Sequence, residues 1–263
     1  MPKTTDNNQK MYHINLSKND LNGATLAILP GDPGRVEKIA AMFDEYQELT
    51  FNREYKSILA KLDNSTVLIC STGMGGPSLA ICVEELATIG IERFVRVGTT
   101  GSIREDIAIG DLVISNAAVR LDGTSTHYAP IEYPAVADIT LTNALIATAK
   151  EQSFNHHVGI AVSSDTFYPG QERYNNFNGY VRRAFQGSME EWRKLGALNY
   201  EMEIASLFVV AKVFSLQAAA VCMVVAKRTE NESVANHELI KQLESNFFRY
   251  IKSLTLYLVK NKI

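Results

Sequence analysis

Gln171 and Arg173 stand two residues apart in the segment Ser163 to Tyr174, just after an apolar run and a Pro169-Gly170 turn. A side-chain amide offers one acceptor and two donors in a plane, and a guanidinium adds a rigid fork of donors. Together they can read a ring edge that presents a carbonyl, an N–H and a second carbonyl. Uracil has that edge and adenine does not. The same residues would also suit an ordinary polar surface loop, so the rest of the chain must decide.

A second group of residues suits an anion. Gly31 and Arg35, in Pro30-Gly31-Asp32-Pro33-Gly34-Arg35, fall at the expected start of a helix. Unpaired N–H groups and partial positive charge there favour phosphate. No Gly-x-x-x-x-Gly-Lys-Ser/Thr pattern occurs, and the Gly73 to Gly76 cluster lacks the spacing of a dinucleotide fingerprint. That cluster reads better as a tight turn for close helix–strand packing. Arg96 lies in the apolar strand Phe94 to Val97, where an uncompensated charge is costly. It requires an anion or an internal carboxylate, and Thr99 adds a hydroxyl at the strand end.

A third group suits a diol. In Asn199-Tyr200-Glu201-Met202-Glu203, an extended backbone turns both carboxylates to one side and Met202 to the other. A carboxylate accepts two hydroxyl hydrogens at once, as a vicinal ribose diol demands. The alternative is that these acidic groups stabilise the start of the helix that follows.

The elements that must position these residues alternate in type. Strands are expected at Thr25–Leu29, Thr66–Thr72, Phe94–Val97, Leu112–Ala118 and Val158–Ser163. Helices are expected after Asp32, from Pro77 to Ile89, over Leu141–Gln152, from Ser188 in a capping-box pattern to Gly196, and over 236–261. Ile204–Ala226 is apolar over a membrane-spanning length, but Lys212, Ser215 and Gln217 divide it into a helix and a strand. Such alternation indicates one α/β domain with a largely parallel or mixed sheet. The many ligand-type loops that directly follow strands agree with this, because α/β folds bind at carboxyl strand ends.

A formal net charge of −3 excludes a general nucleic-acid binder, and 46% apolar with 21% charged residues is ordinary for a globular protein. Cys70, Cys82 and Cys222 sit in apolar stretches and read as buried thiols of a reducing compartment, and the five histidines show no metal-ligand spacing. With no signal-like start, the expectation is a cytoplasmic protein that binds neither membrane nor nucleic acid. Residues 1–12 are expected to be disordered and 13–263 to form the domain.

In order and spacing, these segments resemble the nucleoside phosphorylase family, and within it the uridine phosphorylases. The resemblance rests on Gly31-Asp32-Pro33-x-Arg35, Arg53-Glu54, Cys70-Ser71-Thr72-Gly73-x-Gly75-Gly76-Pro77-Ser78, Arg96-x-Gly98-Thr99-Thr100-Gly101, Ser163–Tyr174, Asn199–Glu203 and Arg228-Thr229. It implies a central mixed, partly barrel-like β-sheet flanked by helices. It also implies phosphate as co-substrate, held by Gly31, Arg35, Arg96 and Thr99 with Arg53 of a neighbouring subunit. By the same resemblance Met202 and Glu203 would hold the ribose, with His13 of the neighbour on the 5′-hydroxyl. Phe167, Gln171, Arg173 and Arg228 would address the base. Glu54, the Met74 carbonyl and Ser78 match the family's monovalent-cation site, K+ for instance, at a dimer interface. The resemblance further implies that no cofactor is required and that the assembly would be a hexamer of three dimers. The products would be uracil and ribose 1-phosphate.

The chain departs from the family pattern before Arg228, where Ala226-Lys227 replaces Val-Asn. Three other readings compete. A purine nucleoside phosphorylase would need an acid in this stretch, which has none. A hydrolytic nucleosidase would leave Arg35, Arg53 and Arg96 without purpose. A non-catalytic nucleoside-binding paralogue would bind uridine without converting it.

Overall fold

The computed structural model describes residues 6–62, 65–229 and 232–263. Among them the element order is β1 (Leu26–Pro30), α1 (Pro33–Ala40), β2 (Glu45–Asn52), β3 (Tyr55–Leu62), β4 (Ser65–Cys70), α2 (Gly76–Ile89), β5 (Arg93–Ser102), β6 (Leu112–Leu121), β7 (Ala135–Val136), α3 (Ile139–Glu151), β8 (His156–Ser164), α4 (Ser188–Lys194), β9 (Ala197–Glu201), α5 (Ile204–Val213), β10 (Gln217–Arg228), β11 (Glu232–Val234) and α6 (His237–Lys260). The sheet runs β11-β10-β6-β8-β9-β5-β1-β4-β3-β2, with β7 beside β6. An extra pairing of β10 with β5 closes β5, β10, β6, β8 and β9 into a five-stranded ring. Its pairs are parallel at β5–β10, β6–β8 and β8–β9, and antiparallel at β6–β10 and β5–β9. The mixed, barrel-like α/β domain is therefore present.

The apolar strands arise because the sheet is covered on both sides, which removes the usual alternation of apolar and polar residues. On β1, Ala27 and Leu29 join the cluster built from α2 and α5, while Leu26 and Ile28 join that built from α1, α3 and α6. The segment of membrane-spanning length resolves into α5 and β10, both buried in this core, and no described helix is long and apolar enough to cross a membrane.

Local signals set the element ends. Asp32 caps α1 by accepting from the Gly34 N–H at 2.8 Å, with Pro33 in the first turn. At Gly76 a Cβ would lie 2.5 Å from Ser206 Oγ and 2.7 Å from Thr124 Oγ1. Only glycine lets α2 approach α5 there, so the tight packing expected of this turn is between two helices rather than helix and strand. The disordered start expected over 1–12 lies partly outside the described residues. From Asp6 onward the chain is held: the Asn7 carbonyl accepts from the Asn19 N–H at 3.1 Å, and Met11 packs on the core.

Two expectations change. The strand expected to stop at Val97 continues through the Gly98–Gly101 run to Ser102, because β10 pairs with it residue by residue. The capping box expected at Ser188 does not form. Ser188 is already helical, Gly187 precedes it without a side-chain cap, and a carboxylate from elsewhere serves the helix start.

Candidate active site

A cleft of about 760 Å³ opens over the carboxyl ends of β1, β5, β9 and β10. It gathers Gly31, Arg35, Arg96, Thr99, Phe167, Gln171, Arg173, Met202 and Glu203, with Glu54, Met74 and Ser78 also on its wall. Sequence reasoning had not singled out Tyr200, Val225 or Val234, which line it too. Val225 and Ala226 both reach the cleft because β10 bulges between Val224 and Ala226 against β5.

At the floor, Arg96 and Glu203 are 5% and 4% exposed and form an ion pair through Arg96 Nη2 and Glu203 Oε2. The second Glu203 oxygen accepts from the Gly75 N–H at 2.7 Å. Among the described residues, Arg96 Nε and Nη1 have no hydrogen-bond partner. Of the two readings of Arg96, the internal carboxylate is present, and Glu203 balances its charge. Gly98 and Gly31 keep this corner tight: a Cβ on Gly98 would lie 3.0 Å from Cys222 Sγ, and one on Gly31 3.3 Å from the Gly73 carbonyl oxygen.

The two carboxylates of Asn199–Glu203 divide their tasks. Glu201 ends β9 and accepts from the N–H groups of Glu203 at 2.6 Å and Ile204 at 2.8 Å, and from Ser163 Oγ. It is the helix-start stabiliser, and Glu203 is left to face Arg96. Burial first, then the charge of Glu203, pushes the Glu201 carboxyl up to about 7.

Arg35, in α1, is drawn toward α6, where Glu244 accepts from its Nε at 2.9 Å and forms an ion pair with its Nη2, also at 2.9 Å. Nothing local marks Glu244, which lies on the final helix far along the chain. On the opposite wall, the Arg173 guanidinium stacks 4.2 Å from the Phe167 ring centroid. Gln171 is buried, and its backbone carbonyl accepts from Arg228 Nη2 at 2.7 Å. Arg228 itself does not line the cleft; it stands behind Gln171 and 5.6 Å from the Tyr200 ring. Lys227 is directed elsewhere, donating to the Glu105 carbonyl at 2.6 Å.

His13 and Arg53 are not on the wall of this cleft. Glu85 fixes His13 by accepting from its N–H at 3.0 Å and pairing with its Nδ1 at 2.6 Å, while Arg53 lies over Tyr12 at 5.7 Å.

The arrangement offers anion donors, a diol-type carboxylate and a planar amide–guanidinium pair around one cavity. A family profile described as the phosphorylase superfamily matches residues 25–255. The chain belongs to the phosphorylase superfamily. It is 52% identical to the uridine phosphorylase of Escherichia coli (strain K12), over 92% of this chain and 95% of that protein. It is 45% identical to the uridine phosphorylase of Thermococcus kodakarensis, over 88% and 82%. A guanosine phosphorylase of Halorubrum lacusprofundi is 35% identical over 92% and 95%. The superfamily assignment agrees with the closed ring of strands.

Proposed function

We propose that this chain is a pentosyltransferase that cleaves uridine with inorganic phosphate, giving uracil and ribose 1-phosphate. The observation that carries the reading is Arg96, buried in the cleft with two donors unmet among the described residues, in the same cavity as the Gln171–Arg173 pair. Phosphate would take those donors together with the Thr99 hydroxyl, Gly31 and Arg35. Glu203 would accept the ribose 2′- and 3′-hydroxyls, with Met202 on the sugar face.

As the glycosidic bond breaks, positive character develops at the ribose carbon and negative character on the base. Phosphate stabilises the first and attacks the sugar. Gln171 and Arg173 aim donors at the oxygens of the departing uracil, and Phe167 packs on the ring. Catalysis is then positioning and electrostatic preorganisation, with no covalent enzyme intermediate.

His13 and Arg53, which lie off their own cleft, would complete the site of a second copy, in a hexamer built as three dimers. Glu54 and Ser78 fit a monovalent cation. Their oxygens are 2.7 Å apart, and a Cβ on Gly73 would fall 2.7 Å from atoms of both side chains. K+ there, with the Met74 carbonyl, would brace that interface. The setting is pyrimidine salvage in the cytoplasm.

Spectrophotometric assay of uridine, thymidine and inosine, each with and without phosphate, tests the reading. Uridine cleavage that requires phosphate is expected. Equal cleavage without phosphate would indicate hydrolysis, and a preference for inosine would indicate the purine activity.

A further inference from the structure

Glu172 separates the two base-reading residues, and its own side chain points away from them. Its carboxylate accepts from the backbone N–H groups of Gly187 and Met189, the latter at 2.8 Å. These are the groups that the start of α4 leaves without a cap of its own. Glu172 also has φ +54°, a left-handed conformation that a glutamate adopts only when its surroundings hold it there. That conformation closes the short turn Pro169–Gln171 and directs Gln171 and Arg173 to the cleft.

We propose that Glu172 is the positioning residue for base recognition. Its carboxylate clamps the turn onto α4 and so sets the separation and angle of the Gln171 amide and the Arg173 guanidinium. The charge-assisted bonds to two backbone donors balance the unfavourable φ. The carboxylate's bonds run to the Gly187 and Met189 N–H groups and to the Tyr174 hydroxyl, all tied to the turn that carries the base-reading pair, so its loss should affect the base and leave the anion site intact. This inference rests on the proposed reading that the cleft takes uracil.

The test measures uracil and phosphate affinity by calorimetry, and uridine turnover, for the parent, Glu172→Ala, Glu172→Gly and Glu172→Gln. The Ala variant should lose about a hundredfold in kcat/KM for uridine and bind uracil about tenfold more weakly. Phosphate affinity should stay within about twofold of the parent. The Gly variant relieves the backbone conformation but lacks the clamp, so it should fall as far as the Ala variant. The isosteric Gln variant keeps one acceptor and the fold, and should lie between. Uracil affinity unchanged in all three variants, or uracil and phosphate affinity falling together, overturns the role of Glu172. A Gly variant with normal uracil affinity overturns the clamp. If the parent neither turns over uridine nor binds uracil, the functional reading fails and this inference with it; normal parent turnover with undiminished variants sinks the inference alone.

Discussion

Arg96 and Glu203 neutralise each other at the floor of the cleft, and each also faces the space where a different part of the substrate pair would lie. Glu203→Gln therefore removes the counter-charge from a buried guanidinium, a change of the kind that typically costs about 3–5 kcal/mol. Phosphate should restore much of that loss, because it no longer shares Arg96 with a carboxylate. Thermal unfolding with and without phosphate checks this: the variant should gain more from phosphate than the parent does. The preference for uridine over 2′-deoxyuridine should also weaken in the variant; an unchanged ratio would remove Glu203 from ribose recognition.

Arg173→Ala should lower turnover roughly a hundredfold or more, since one preorganised donor to the leaving group is lost. Arg173 is itself buried, with its guanidinium stacked on the half-exposed Phe167, so thermal unfolding measured beside the assay must show that the variant is still folded. Near-normal uridine turnover by the folded variant would refute the role.

The departure at Ala226-Lys227 has two unequal parts. Lys227 reaches the Glu105 carbonyl and is not on the cleft wall, so Lys227→Asn should leave uridine kcat/KM within about twofold. Ala226 lines the cleft, so Ala226→Val should narrow it and reduce turnover of 5-substituted uridines more than of uridine. Parallel kinetics on uridine, and on 2′-deoxyuridine against thymidine, which differ only in the 5-methyl group, separate the two.

Glu201 supplies a pH dependence. Its folded pKa is raised from 4.5 to about 7 by burial and by the Glu203 charge. A raised carboxyl binds protons more tightly in the folded state, so its contribution to stability is complete below 4.5 and is lost as pH rises through about 7. Glu201→Gln should flatten the decline in melting temperature across that window. An identical slope in parent and variant would show that Glu201 does not titrate there.

Most of the elements were legible because their signals are local: the Asp32 cap, the apolar β1, and the Ser215 break that splits α5 from β10. The site chemistry was legible where unusual residue types interrupt apolar strands, as Arg96 does. The continuation of β5 past Val97 was not legible, because it depends on pairing with a strand from the other end of the sequence. The same holds for partners that fold brings from afar. Glu244 on Arg35, Glu85 on His13 and Glu172 on α4 carry no local pattern that distinguishes them from surface glutamates. The misplaced cap at Ser188 is the clearest case: Ser-x-x-Glu matched the local rule, but a distant carboxylate took the helix start instead.

The ring closure between β5 and β10 has a consequence for biosynthesis. Arg96 and Thr99 leave the ribosome well before the strand that flanks them and supplies Ala226, which follows more than a hundred residues later in the chain. Until β10 docks, β5 has an open edge and the cleft lacks a wall. The ligand site is therefore among the last features the chain acquires, so ligand binding during refolding should report completion of the whole domain rather than local order.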